Sequence, residues 1–394
     1  MGQFNTSLML SLDATKAYDR VQYTKLFKLL IDKEICPLLI RFIMNIYLVS
    51  TAIVKWNNTE SQAFSLLNGV KQGAVISPPL FALYIDPLIE NLTNSKKGCH
   101  IGNLCANAFA YADDVILLSP TCTALKSMIE ICEQFSDDYK LQFNPNKCTL
   151  LIFSDSDYYF NNVCIKLCGI VIKNVRSETH LGHTFENSYD IINIDRIIRD
   201  IKVRTNTVIN TFRPLSWESK VILYISQCSS LYGCPLWRLD SANIDRLCTD
   251  WNICCRRILG LRQDTRTYLI PHLMNTLPIK CIIMQRMINF FSSGINHHIS
   301  MISDFFKNAL LSKSSHMSAN ISTILNYLDI NYNDILDLSK IRIKNAFLNK
   351  SEEPDWRANY IKELLHVRDR QFFIDLQLDH LDVTSILNFM STFR

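Results

Sequence analysis

Residues 108–118 read Ala-Phe-Ala-Tyr-Ala-Asp-Asp-Val-Ile-Leu-Leu. Ala108 to Tyr111 and Val115 to Leu118 are short apolar runs that meet at Ala112-Asp113-Asp114, which predicts two strands joined by a tight turn carrying carboxylates at its tip. A second apolar run, Ser7 to Asp13, has the length and composition of a central strand in a covered sheet, and it too ends on a carboxylate. Pairing these strands would gather Asp13, Asp113 and Asp114 at one edge. Two unit negative charges ~4 Å apart repel by about 4 kcal/mol at an effective dielectric of ~20. Such a cluster therefore calls for a cation, and a hard divalent ion with oxygen ligands, Mg²⁺ with Mn²⁺ as a substitute, is the natural partner. Two ions ~3.5 to 4 Å apart would activate an attacking hydroxyl and steady a leaving pyrophosphate. Taken alone, Asp13 reads as a turn cap and Asp113-Asp114 as a solvated loop.

Between these strands the pattern alternates. Asp19 and Gln22 resemble a capping box ahead of an apolar stripe at Val21, Leu26, Leu29 and Leu30, which Pro37 ends, and a further helix runs from Leu38 to about Val49. Thr51 to Trp56 and Ser61 to Leu67 predict a hairpin around the four-residue loop Asn57-Asn58-Thr59-Glu60. Ser77 as cap and Pro78 as first helical residue open a helix through Leu80, Leu83, Tyr84 and Leu88, and Leu125 to Tyr139 form another. The order describes an α+β domain, an antiparallel sheet with helices on one face. From Asp190 the pattern is nearly all helical, with Ile194, Ile197, Ile198, Ile201, Val208 and Ile209 on one stripe; Ser- and Asn-rich stretches around Ser312 to Asn320 and Asn331 to Asp334 read as loops.

Composition narrows the classes. The 394 residues are 48% hydrophobic and 20% charged with a net charge of +4, so a nucleic-acid partner would have to be held by local clusters of Lys and Arg. The 14 cysteines are dilute in a chain this long and include no Cys-x-x-Cys pair, so neither a disulfide scaffold nor a zinc ribbon is indicated. Cys164, Cys168, His180 and His183 come nearest to a zinc set, with unfavourable spacings. The apolar stretch from Leu38 to Val54 is broken by Arg41 and Asn45, so no membrane span is expected. The start lacks a secretory signal; Met1-Gly2-Gln3-Phe4-Asn5-Thr6 fits the myristoylation pattern, which the buried strand that follows argues against.

Four stretches, LSLDATKAYDRV, NGVKQGAVISPPLFALYIDPL, AFAYADDVILL and LQFNPNKCTLLIF, resemble in order and spacing the palm motifs A to D of reverse transcriptases. HLGH at 180–183 resembles the primer grip that follows them, and LYGCPLW and CCRRILGLRQDTRTYLIPHLMNTLPI resemble the thumb and downstream region of non-LTR, LINE-type elements, so the likeness reaches to about Phe291. It implies a polymerase palm over 1–172, a primer grip and all-α thumb over 173–240, and a helical region over 241–394. It further implies that Asp13, Asp113 and Asp114 hold the metals, and that Tyr18 stands against the sugar of the incoming deoxynucleoside triphosphate to exclude a 2′-hydroxyl. Gln72 and Gly73 would face nucleotide and template, and Lys147 would protonate the leaving pyrophosphate. His180, Leu181 and Gly182, with Arg196, Arg199 and Lys202, would contact an RNA template and DNA primer, as would a later cluster of Arg256, Arg257, Arg262 and Arg266. For any one of these cations a solvated helix face is an equal reading.

Only a dozen residues precede Asp13, which leads to the expectation of a truncated copy lacking fingers, with weak or no polymerase activity alone. The competing readings are a group II intron-type reverse transcriptase, against which LYGCPLW and RRILGL argue, and a non-catalytic nucleic-acid-binding remnant. The expected setting is intracellular, nucleus or cytoplasm; oligomeric state is left open.

Overall fold

The computed structural model describes residues 6–331 apart from 102, 155, 156, 187–193, 230, 313 and 314, together with 342, 343 and 345–347. Strand β1 (Ser7–Asp13) lies at the centre of a five-stranded sheet. Its apolar residues alternate between two separate clusters. Leu8, Leu10 and Leu12 pack with Val115, Leu117, Leu150 and Ile152 beneath the helices, while Met9, Ile116 and Leu151 form a smaller cluster on the opposite face, flanked by Phe153, Val175 and Phe185. Burial on both sides explains why the sequence there is a near-continuous apolar run.

The remaining strands are β2 (Ala108–Tyr111), β3 (Asp114–Ser119), β4 (Thr149–Phe153) and β5 (Lys173–Val175), in the order β5-β4-β1-β3-β2. All neighbours are antiparallel except β4 and β5, which are parallel. Helices α1 (Tyr23–Asp32), α2 (Pro37–Leu48), α3 (Ser77–Asn94) and α4 (Cys122–Tyr139) bury their apolar stripes in the cluster on the Leu8-Leu10-Leu12 face, so the predicted one-sided α+β layer forms. Thr121 caps α4, its hydroxyl accepting the Ala124 amide.

Three local expectations are corrected. Asp19 does not cap α1; it sits in a 3₁₀ turn, Ala17–Arg20, and Gln22 precedes the helix with its side chain donating to the Arg20 carbonyl. The predicted four-residue hairpin loop shrinks to Asn57-Asn58, because Lys55 pairs with Glu60 and Trp56 with Thr59; both asparagines take φ values of 44° and 64°, the left-handed geometry that a two-residue turn demands. Ser77 is the first helical residue rather than the cap, and its hydroxyl is engaged elsewhere.

Tyr84 of α3 is fully buried, and its hydroxyl donates to the Tyr139 carbonyl at 2.5 Å while accepting the Gln22 amide at 3.2 Å. One phenol thus joins the start of α1 to the end of α4. Tyr84→Phe leaves two backbone groups unpaired, and is expected to lower unfolding free energy by roughly 1–3 kcal/mol, read as a shift of the urea midpoint at constant slope.

Contacts divide the chain after Tyr189 rather than after 172. The reason is that β5 joins the sheet and that β6 (Ser177–His180) and β7 (His183–Glu186) form a hairpin whose Phe185 packs against the smaller cluster. The second unit, Asp190–Arg394, contains α5 (Ile194–Thr211), α6 (Trp217–Cys228), α7 (Ala242–Leu259), α8 (Ile279–Ile295), α9 (Ser300–Leu311) and α10 (His316–Leu328). Their buried residues make one continuous core from Ile194 to Phe347. The polar stretch ending at Asn320 is half helix: Ser315 caps α10, and Asn320 is buried with its amide satisfied by the backbones of Trp237 and Leu239. Residues 332–334 of the second expected loop lie outside the described residues.

Candidate active site

β2 and β3 are joined by a two-residue turn, Ala112-Asp113, since Tyr111 pairs with Asp114. Ala112 takes φ 54°, a left-handed conformation that a residue with a Cβ rarely adopts. Asp114 therefore opens β3, and the antiparallel register places it directly opposite Asp13, the last residue of β1. Side chains of opposed residues stand on the same face, with Cβ atoms about 5 Å apart. Asp113 is next in the turn. Asp113 and Asp114 are exposed, and Asp13 is partly so. The Lys147 ammonium lies 3.7 Å from Asp13 Oδ2; with both side chains largely solvated the pair is worth at most about 1 kcal/mol.

The segment 142–148 grips the backbone around Asp13. The Asn144 amide donates to the Asp13 carbonyl at 2.8 Å, the Thr15 amide donates to the Gln142 carbonyl at 2.8 Å, and the Asp13 amide donates to Cys148 Sγ at 3.4 Å. Asn144 shapes its own turn, its carbonyl accepting from Lys147 and Cys148 and its side chain from the Asn146 amide. Burial pushes the Cys148 thiol up to about 11, so it stays protonated at neutral pH.

Tyr18 lies in the 3₁₀ turn after β1, its ring stacked on Phe81 of α3 with centroids 4.8 Å apart and planes 10° from parallel. Burial raises the phenol's pKa first, and the charge of Asp113 and the neighbouring Tyr111 raise it further, so the ring belongs to the same locality as the acidic turn. The Tyr18 carbonyl accepts the Val70 amide and the Val21 carbonyl accepts that of Gly69, each at 2.8 Å. This ties residues 69–76 to the strand-end turn. Within that loop Gln72 and Gly73 are exposed, Gly73 at φ 81° with nothing over its α-carbon. The buried Ser77 hydroxyl donates to the Lys71 carbonyl at 2.6 Å and so holds the loop closed.

Asp13, Asp113, Asp114, Lys147 and Tyr18 are thus brought together from segments far apart in sequence, with Gln72 and Gly73 on a loop bonded to the Tyr18 segment. Among the described residues, however, no three His, Cys, Asp or Glu side chains converge into a ready metal-ligand set. His180, Leu181, Gly182 and His183 are the turn of the β6–β7 hairpin, Leu181 and Gly182 both at positive φ, and burial lowers the His183 pKa. The cations of the second unit are differently placed than a free phosphate-binding row. Lys202 is paired with Asp250 at 2.5 Å, Arg199 donates to the Asp195 carbonyl on its own helix, Arg256 is spent on the carbonyl of Thr265, and Arg262 pairs with Asp264. Arg196 is exposed. Sequence reasoning missed Phe81, Asn144, Cys148 and the tethering role of Ser77, all of which depend on partners that local pattern does not reveal.

Residues 3–185 match the family model described as reverse transcriptase (RNA-dependent DNA polymerase), over the stretch that contains the sheet, the acidic turn and the loops around it. These residues are a reverse transcriptase domain. It is of the non-LTR retrotransposon kind. Its curated relatives include the retrovirus-related Pol polyprotein of a type-2 retrotransposable element from Drosophila melanogaster, 29% identical over 145 residues, which are 37% of this chain and 14% of that protein. That of a type-1 element from Nasonia vitripennis is 30% identical over 177 residues, 45% of this chain and 16% of the relative. The reverse transcriptase domain therefore aligns with only a small part of much longer proteins. Among solved structures, apo telomerase from Candida tropicalis is 11% identical with a TM-score of 0.40, covering 78% of this chain and 54% of that one. Among the described residues no helix is long and apolar enough to cross a membrane.

Proposed function

We propose that the chain is the polymerase part of a LINE-type retroelement protein, adding deoxynucleotides to a DNA primer on an RNA template. The observation that carries this reading is the register that sets Asp13 opposite Asp114, with Asp113 in the adjoining turn. Oxygen donors with net negative charge suit Mg²⁺, or Mn²⁺ in its place, and Asp13, Asp113 and Asp114 are the residues that would hold two ions. Such ions, when bound, acidify the primer 3′-hydroxyl and neutralise the triphosphate. The chain's own residues do the rest. Tyr18, braced by Phe81, blocks the space of a 2′-hydroxyl; Gln72 and Gly73 border the nucleotide and template; and Lys147, already beside Asp13, supplies a proton to the departing pyrophosphate. The His180–His183 turn, with Arg196, Arg199 and Lys202, would contact the primer-template duplex, although the ion pair to Asp250 discounts Lys202. The palm, expected over 1–172, would lie within the first compact unit, which runs to 189, and the helical thumb within the second. Free cysteines throughout the described residues suit a reducing intracellular compartment, nucleus or cytoplasm.

The test is extension of a DNA primer on an RNA template by the purified chain with deoxynucleoside triphosphates and a divalent metal. Incorporation is expected to be weak, so it is read under single-turnover conditions with enzyme in excess; an Asp113→Asn form that incorporates as much as an active unsubstituted chain refutes the proposal. A second expectation concerns selectivity. Tyr18→Ala opens the space beside the sugar and is expected to raise ribonucleotide use relative to deoxynucleotide use by at least about 100-fold, since a steric block is worth several kcal/mol. The ratio of kcat/KM for the two triphosphates measures it.

A further inference from the structure

The pairing of β1 with β4 runs from Ser7–Phe153 to Ser11–Thr149 and resumes only as a single bridge between Ala14 and Phe143. Leu12 and Asp13 therefore face the five residues 144–148, which cannot all lie in the sheet and bulge out of it. In an unbroken ladder the outward amide of β1 would find a β4 carbonyl. Here the Asp13 amide meets the sulfur of Cys148, a side chain only 1% exposed, and the Asp13 carbonyl is taken by the Asn144 amide. Both peptide groups flanking the carboxylate are thus fixed by one turn. The direction of a side chain at a strand end follows its peptide planes, and a ligand must be held within about 0.5 Å and 10–20° to remain productive. Sulfur is a weak acceptor, yet it is the acceptor the Asp13 amide meets.

We propose that Cys148 is a positioning residue for Asp13: its sulfur holds the Asp13 amide so that the carboxylate keeps its place opposite Asp114 for a divalent cation. The inference rests on the metal-binding role given to these carboxylates under the proposed function, and adds to it a residue that touches neither metal nor nucleotide. It also gives the 144–148 turn two separate tasks, Lys147 acting by charge on the carboxylate and Cys148 by geometry on the backbone.

The experiment measures Mn²⁺ binding to the purified chain, without nucleotide, by the electron paramagnetic resonance signal of free Mn²⁺, alongside thermal unfolding. Cys148→Val fills the same space without an acceptor and is expected to weaken Mn²⁺ binding by about tenfold, the lower end of the loss seen when a group orienting a metal ligand is removed. Cys148→Ser, which restores an acceptor, is expected to bind within about twofold of the unsubstituted chain. Cys148→Ala is carried in parallel, so that misfolding of one variant leaves the comparison intact. A purely structural cysteine would move the unfolding temperature in all variants and leave the affinity alone. Equal affinity for the valine and unsubstituted chains, or a serine form as weak as the valine form, overturns the proposal. Absence of Mn²⁺ binding by the unsubstituted chain would overturn the metal reading itself, which separates the two failures.

Discussion

Asp113→Asn is expected to lower RNA-templated primer extension by at least about 1000-fold, the loss of ~4 kcal/mol of transition-state stabilisation that follows when a metal-binding carboxylate is removed. Single-turnover assays with enzyme in excess and Mn²⁺ present give the sensitivity needed. The same change should leave thermal unfolding nearly unaltered, because Asp113 is exposed at a turn tip and not part of either strand. Asp114→Asn separates the two properties more sharply. It faces Asp13 across the antiparallel pair, and like charges directly opposite destabilise a sheet by roughly 0.2–1 kcal/mol. The metal-free chain should therefore become slightly more stable while extension falls. A variant at either position that retains extension would show that these carboxylates are not the metal ligands.

Gly69→Ala is expected to cost about 2–4 kcal/mol of stability, from a left-handed φ imposed on alanine together with a backbone clash. Gly69 has φ 89°, and a Cβ there would stand 3.0 Å from both the α-carbon and the carbonyl oxygen of Asp19. Neither atom can yield without moving the 3₁₀ turn that carries Tyr18, and the adjacent Val70 amide is bonded to the Tyr18 carbonyl. The variant should thus lose nucleotide selectivity as well as stability. Gly73→Ala supplies the contrast: φ is similarly positive at 81° but the space is open, so only the conformational penalty of about 1 kcal/mol applies. Denaturant midpoints of the two variants measure the difference, and equal losses would show that the approach to Asp19 does not matter.

Much of the site was legible in one dimension. Ala-Tyr-Ala-Asp-Asp between two apolar runs defines its own turn, and the helices α2 and α4 begin and end within a few residues of where proline and the apolar period place them. Other features misled for physical reasons. Ser77 looks like a cap because serine before proline usually is one, yet the Lys71 carbonyl offered its buried hydroxyl a nearer partner. Lys202 looks like a phosphate contact until Asp250, 48 positions on, is found beside it. Asn320 sits in a polar stretch that resembles a loop, and is buried because two backbone groups more than 80 positions away satisfy its amide.

The sequence by itself determined the apolar strands beside the carboxylates, the helical character of the flanking segments and, through four ordered motifs, the family of residues 3–185. Those properties are written in periods of two and 3.6 residues and in turn chemistry, which need no distant partner. Only the tertiary structure decided that Asp13 stands opposite Asp114 rather than one residue to either side. That register follows from the packing of Leu8, Leu10 and Leu12 with Val115 and Leu117, since a slip of one would turn these three leucines away from the core beneath the helices. The grip of Cys148 and Asn144 on Asp13 belongs to the same class: it arises where five residues must fit against two, a mismatch that no stretch of sequence shows until the strands are paired.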